Sequence, residues 1–380
     1  MMTALETGLL ASGDSAVDAE LEAFFDACPT SFAQQTPAWR AVIGSLGVDE
    51  PLYLGCRRQG ALVGVLPAYR FAGPVGAILN SVPQAGALGG VAHLAPEDPE
   101  PIYAALLDAY TQLARERECA LATVMSNPLW PDGALYERAF APDYVLENSC
   151  LVLDLREGFD AEGAPRAASS NLRRNLRRAG SGALRIDEEQ SAANVAAWYE
   201  IHAERHGEIG ATPLPRALFE AALAHAVPAG KARFFFVRLS ESDELVAGGF
   251  YVCHGQVIDA FMPSLRSRFA ALGPNFLLAA HSMRWAREQG IRYYNWQASP
   301  PQGGVHRFKR QWGSQDRPYA YYTRVTGDAE PLRRSSPAAL REHYPWHFVL
   351  PFDQIGPNAS MAAGRSERAG AWHALESQEP

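Results

Sequence analysis

Three groups of residues in the last third of the chain have types and spacing suited to binding and moving charge. Ser264-Leu265-Arg266-Ser267-Arg268 places two arginines shortly before Gly273-Pro274-Asn275, a helix start with proline at its first position. The first turn of a helix leaves backbone N–H groups unpaired, so beside Arg266 and Arg268 this start is a seat for an anion, phosphate above all. A Gly-rich turn then leads to Phe308-Lys309-Arg310-Gln311-Trp312-Gly313, which returns Lys309 as a further positive charge. Asp259, in Val257-Ile258-Asp259-Ala260-Phe261, is a carboxylate in an apolar strand and can take a proton directly or through water.

The surrounding elements decide where these groups point. Asn275–Gln289 carries Phe276, Leu277, Ala280 and Met283 at helical spacing, and Ile291–Gln297 is short enough for a buried strand. Upstream, Phe234–Leu239, a polar turn at 240–244 and Leu245–Val252 predict a hairpin, extended by a strand over Val257–Met262. The first half has the same plan: a hairpin from Leu52–Cys56 and Ala61–Tyr69, a helix over Pro101–Glu118 and a strand at Ala120–Met125, followed by a strand at Cys150–Leu155. Leu245-Val246-Ala247-Gly248 echoes Leu62-Val63-Gly64. Both last strands run into proline turns, Ser126-Asn127-Pro128 and Ala298-Ser299-Pro300. A duplicated unit of hairpin, helix and strand is the economical reading, giving an α/β protein with mixed sheets.

Gly304-Val305-His306-Arg307-Phe308-Lys309-Arg310-Gln311-Trp312-Gly313 resembles the F-K-x-x-F/W-G signature of the Fem-type transferases, which are tandem members of the GCN5-related N-acyltransferase (GNAT) superfamily. Gly273-Pro274-Asn275-Phe276-Leu277-Leu278 resembles the helix before it, and the phrase from Phe32 to Trp39 is similar to one near the start of Fem-type chains. The resemblance covers most of residues 20–326, with matching motifs in the second half alone. It implies two tandem GNAT-like acyltransferase domains. It also implies that Lys309, and no other residue, carries over the family's charge-stabilising role at the oxyanion of the tetrahedral intermediate. The residues themselves make Asp259, on the strand beside the donor, the candidate base, and Arg266, Arg268, Gly273 and Asn275 the candidate donor seat. Lys309 and the helix start are expected to face one cavity. The amine attacks directly, so no cofactor is implied beyond acyl-CoA as cosubstrate. Many relatives have an Asp-Phe-Gly-like phrase where Tyr294-Asn295-Trp296-Gln297-Ala298-Ser299 stands here, so Asn295 removes a carboxylate.

The chain has a formal net charge of −8 and a pI near 5.7, which argues against a surface that coats DNA or RNA. Five cysteines lie far apart with no C-x-x-C pair, so neither a zinc ribbon nor a redox dithiol is supported. No stretch approaches the roughly 20 apolar residues of a membrane span, and residues 1–20 lack a basic signal region. A cytoplasmic protein is expected. Between Gly163 and Ile186 there are six arginines and no carboxylate, and Asn171–Ala179 reads as a basic helix between the domains, facing a polyanion or solvent. His202 and His206 share a helix face, but Glu204 does not follow the first histidine, so the H-E-x-x-H zinc pattern fails. With Arg205 they are expected to wall the acceptor cleft, joined by Asn295, Gln297 and His306.

These readings divide the chain into a disordered segment (1–16), an N-terminal GNAT-like domain (17–160), a basic linker helix (161–190), a C-terminal GNAT domain (191–328) and a loosely packed extension (329–380). The first domain, joined through 86–100 without arginines, is expected to hold no donor. The expected function is acyl transfer from acyl-CoA to the amine of a small-molecule or nucleotide-linked acceptor. Two alternatives stand beside it: an aminoacyl-tRNA-dependent transferase acting on a peptidoglycan precursor, and a noncatalytic binding factor in cell-envelope or polysaccharide production.

Overall fold

The computed structural model describes residues 4–11, 13–83, 88–95, 97–160, 163–166, 168–299 and 303–356. These fall into two compact units, residues 4–149 with 318–356, and residues 150–317.

The first unit begins with β1 (Leu5–Leu9), α1 (Ser15–Ala27) and α2 (Pro37–Leu46). The hairpin of β2 (Glu50–Arg58) and β3 (Ala61–Gly73) follows, then β4 (Gly76–Asn80), the short β5 (Ala92–His93), α3 (Glu100–Glu116), β6 (Cys119–Met125) and α4 (Gly133–Phe140). The unit boundary falls inside β7 (Tyr144–Asp154). In the second unit come α5 (Ser170–Ala179), β8 (Leu184–Asp187), α6 (Ala192–Glu208), α7 (Arg216–Ala221), β9 (Ala232–Leu239), β10 (Leu245–His254), β11 (Val257–Leu265), α8 (Pro274–Glu288), β12 (Tyr293–Ala298) and α9 (Gly304–Arg310). The chain then returns to the first unit through β13 (Gln315–Val325), α10 (Glu330–Arg334), α11 (Pro337–His343) and α12 (Phe352–Ile355).

Within the first unit the strand order is β1-β2-β3-β4-β6-β13, and within the second β7-β12-β11-β10-β9-β8. The two hairpin, helix and strand repeats expected from the sequence are both present. In each, an amphipathic helix covers one sheet face and leads to a parallel partner: α3 carries Ile102, Leu106, Tyr110 and Leu113 into the first core, and α8 carries Leu278, Met283 and Ala286 into the second. Gly64 makes the first packing possible, because a Cβ there would meet the Ile102 side chain at 2.4 Å. The parallel ladders differ. Four of the five residues of β4 pair with β6, whereas only Val257–Asp259 of the nine-residue β11 pair with Tyr293–Asn295.

Three expected boundaries are corrected. Residues 5–9 form an edge strand along β2, with Leu5 opposite Arg58 and Leu9 opposite Leu54, in place of a disordered start. The basic stretch is not a linker between domains, since α5 packs on α8 through Leu172 and Leu176 and β8 pairs with β9 inside the second unit. The segment 329–356 is not loosely packed. Leu332, Leu340, Tyr344, Leu350 and Ile355 form a buried cluster with Ile78, Ala120 and Leu121, and residues 357–380 lie outside the described part. Two elements explain why these segments belong to the first unit. β13 pairs with β6 from Tyr321–Met125 to Val325–Leu121, and the buried His347 shares a hydrogen bond with the buried Asp49 through Nε2 and Oδ1 at 3.0 Å. Asp49→Ala leaves that imidazole buried without its partner. A loss of about 2–4 kcal/mol in urea unfolding of the first unit is the expected result.

Candidate active site

The region where β11 and β12 part gathers the charged groups. A strand pairing that ends after three residues frees the backbone beyond it, and a bulge adds to this. In β10–β11, Phe250 opposes Met262 while Val252 opposes Asp259, so β11 holds one extra residue at Ala260–Phe261, immediately after the last residue paired with β12. Asp259 is 2% exposed and its Oδ1 accepts a hydrogen bond from Asn295 Nδ2 at 2.6 Å. The Asn295 Oδ1 in turn accepts from the Gln297 backbone N–H at 3.0 Å. Asn295 is therefore not an empty substitute for a carboxylate. It supplies the donor that a buried Asp259 needs, where a second carboxylate would repel it.

Lys309 reaches the same place from α9, its ammonium donating to the Ala298 carbonyl at 3.1 Å. An aromatic cluster fixes α9: Phe308 and Trp312 lie 5.7 and 5.9 Å from Trp296, and Phe308 lies 5.2 Å from Phe276 in the first turn of α8. Trp296 Nε1 donates to Ser314 Oγ at 2.7 Å. Cys150 reports the convergence. Burial pushes its thiol well up, the Asp259 carboxylate adds to the rise and the Lys309 ammonium opposes it, so both charges act on one sulfur. Lys309 is itself only 7% exposed. The open cavity expected to join its ammonium to the start of α8 is thus corrected to a buried cation, linked to that helix through the Phe276–Phe308 contact. A dry cation acts on a nearby oxygen more strongly than a solvated one.

The donor seat also differs from expectation. Arg266 is paired with Glu244 at 3.1 Å and Glu204 at 3.3 Å, and the exposed Arg268 with Glu244 at 2.5 Å, so both guanidiniums already have carboxylate partners within the protein. Gly273, at φ +76°, starts α8 and no side chain caps that end. Asn275 lies in its first turn. The cation found there is Arg178 of α5, whose Nη2 would stand 3.9 Å from a Cβ on Gly273. Sequence reasoning saw this arginine and placed it elsewhere, because nothing in the local pattern shows that α5 packs on α8.

The remaining acceptor-side residues separate. His202 is fully buried, its Nδ1 3.3 Å from Ser264 Oγ, and its ring stacks on Trp198. His206 Nδ1 donates to the His202 carbonyl at 2.8 Å. Arg205 bonds Glu208 and Ser267 at 3.1 and 3.2 Å. This trio ties α6 to β11 and to the segment after it, and is not a cleft wall. His306 pairs with Asp316 at 3.3 Å. Burial, with His206 adding to it, holds His202 down to about 3 from an ordinary 6.5. Between those values the unfolded chain binds a proton there that the folded chain does not, so stability falls as pH drops from 6.5 towards 3. In His202→Phe the pH slope of unfolding free energy over that window is expected to be shallower by up to about 1.4 kcal/mol per pH unit, read by urea titrations at pH 4 to 7.

Residues 166–310 match the family described as an acetyltransferase (GNAT) domain, and the matched range spans β11, α8, β12 and α9. The two repeated units have the fold of tandem GNAT proteins. FemX has 13% identity and a TM-score of 0.65 over 83% of this chain and 96% of its own. A tandem GNAT protein from the clavulanic acid biosynthesis pathway has 15% identity and a TM-score of 0.51 over 86% and 99%. The C-terminal domain of a lysylphosphatidylglycerol synthetase candidate from Agrobacterium fabrum has 12% identity and a TM-score of 0.53 over 80% and 92%. The Fem-like resemblance carried by the Phe308–Gly313 motif is borne out as a fold. No curated protein matches the sequence. Among the described residues no helix is long and apolar enough to cross a membrane, and no group of three or more His, Cys, Asp or Glu side chains is placed to hold a metal ion.

Proposed function

We propose that the second unit is an N-acyltransferase that moves an acyl group from acyl-CoA to an amine in the cytoplasm. The observation that carries this reading is Asp259 at the parting of β11 and β12, hydrogen-bonded to Asn295, with Lys309 bonded to the Ala298 carbonyl three residues further along β12. A thioester arm lies between the separated strands, with its phosphates at the start of α8 and Arg178. The amine attacks the thioester carbonyl, its proton passes to Asp259, the oxyanion faces the Lys309 ammonium, and collapse expels the thiolate. Every group needed is an acid, a base or a fixed charge, so no covalent enzyme intermediate is required.

Titration of acetyl-CoA, a longer acyl-CoA and aminoacyl-tRNA into the protein tests the donor. Tight thioester binding with thiol release on adding amines supports the proposal, and binding of neither donor favours the noncatalytic reading. Arg178→Glu is expected to weaken acyl-CoA binding by about tenfold, the scale of one charge-assisted contact. Arg266→Ala and Arg268→Ala, already paired within the protein, are expected to change it less than threefold.

The aminoacyl-tRNA reading keeps one observation of its own. Arg174, Arg177 and Arg178 are all exposed on α5, beside the proposed donor seat. That face suits a nucleic-acid backbone as well as a nucleotide diphosphate, and a peptidoglycan precursor would then be the acceptor.

A further inference from the structure

The last residues of β12 break two rules at once. In the pairing with β7, Asn295 opposes Val152 while Ala298 opposes Cys150, so β12 holds an extra residue, and Gln297 takes φ +65°, the left-handed region that side chains disfavour. Gln297 is 8% exposed, and its Nε2 is sealed from solvent with no hydrogen-bond partner. Ser299 Oγ, two residues on, is in the same condition. Buried polar atoms left unpaired are costly, and two of them flank the Ala298 carbonyl that Lys309 holds.

We propose that this end of β12 is the acceptor-recognition site and that the acceptor is an amine bearing a carboxylate, a compound of the amino-acid class. Gln297 Nε2 and the Ser299 hydroxyl are both donors without a partner, and a carboxylate is the group that accepts from two donors together. Asp259, whose partner Asn295 lies two residues before Gln297 on β12, is the complementary anion for the ammonium end. A zwitterion satisfies both, whereas a plain alkylamine leaves the donors unpaired. The inference rests on the acyltransferase reading for the identity of the second substrate, and adds no covalent step to it.

Calorimetric titration of the full chain with L-lysine against cadaverine, β-alanine against ethylamine, and L-lysinamide tests it, with acyl-CoA titrated in parallel. The carboxylate member of each pair is expected to bind at least tenfold more tightly, with lysinamide close to cadaverine. Gln297→Glu, which keeps the side chain's shape and adds a repelling charge, is expected to bring the ratio near one while leaving acyl-CoA binding unchanged. Ser299→Ala lowers the ratio part of the way. Equal binding within the pairs, binding of none of them, lysinamide matching lysine, or an unchanged ratio in Gln297→Glu each overturns the proposal. Failure of acyl-CoA to bind instead counts against the donor half of the acyltransferase reading, so the two failures are told apart.

Discussion

Replacing Lys309 by methionine is expected to lower kcat/KM for acyl transfer by about 100- to 1,000-fold, the loss seen when one fixed donor to a developing oxyanion is removed. Methionine fills the space of the lysine stem, so the aromatic packing of Phe308 and Trp312 on Trp296 survives. The effect should fall on kcat, because the charge it answers is absent from the bound thioester. Steady-state thiol release with a saturating amine measures it. Lys309 is also buried and bonded to the Ala298 carbonyl, so the competing outcome is a less stable protein whose remaining folded fraction turns over at the normal rate. Thermal unfolding run beside the kinetics separates the two, and that outcome would reduce Lys309 to a structural cation.

Asn295→Asp should be at least as damaging, although it restores the carboxylate that many Fem-like sequences carry there. It sets a carboxylate 2.6 Å from Asp259 at a site where both residues are buried to within 2%. Two anions that close do not both ionise in a dry environment, so one holds a proton and the apparent pKa of the pair rises. With less free base at neutral pH, a fall in kcat/KM of about 100-fold is expected, within the range that one general base supplies, and the acid limb of the pH profile should move upward. The exchanged double variant, Asp259→Asn with Asn295→Asp, rebuilds one carboxylate and one amide. It should recover stability without recovering the rate, since the base is then on the wrong strand. Full activity in Asn295→Asp would remove Asp259 from the mechanism.

Much of this site could be read from the order of residues, and the part that could not has a physical cause. The hairpins, α3, α8, β6 and β12 follow from local periodicity, which records the face that each element buries. Lys309 and Asp259 stand out as candidates because a cation in a compact aromatic motif and a carboxylate in an apolar strand are conspicuous by type. The errors concern what a side chain meets. Arg266 and Arg268 look like an anion seat until Glu244 and Glu204 arrive from other elements. His202 and His206 fit a cleft wall at helical spacing, yet the helix turns His202 into Phe219 of α7 and Ser264 of β11. Arg178 became visible only when α5 was seen against α8. The left-handed turn at Gln297 leaves no mark in the sequence, because glutamine is an unremarkable residue for a strand and the strain comes from the register with β7.

The discontinuous make-up of the first unit bears on how the protein is born. Its sheet lacks β13 until residue 325 is made, and Leu332, Tyr344 and His347 fill its core later still, whereas the middle unit is complete by residue 317. On a ribosome adding about 5–20 residues per second, the catalytic candidate can close while the N-terminal strands wait with β6 unpaired on its outer side. Within this unit the strands made first are the last to be secured, and in that interval their apolar faces stay uncovered.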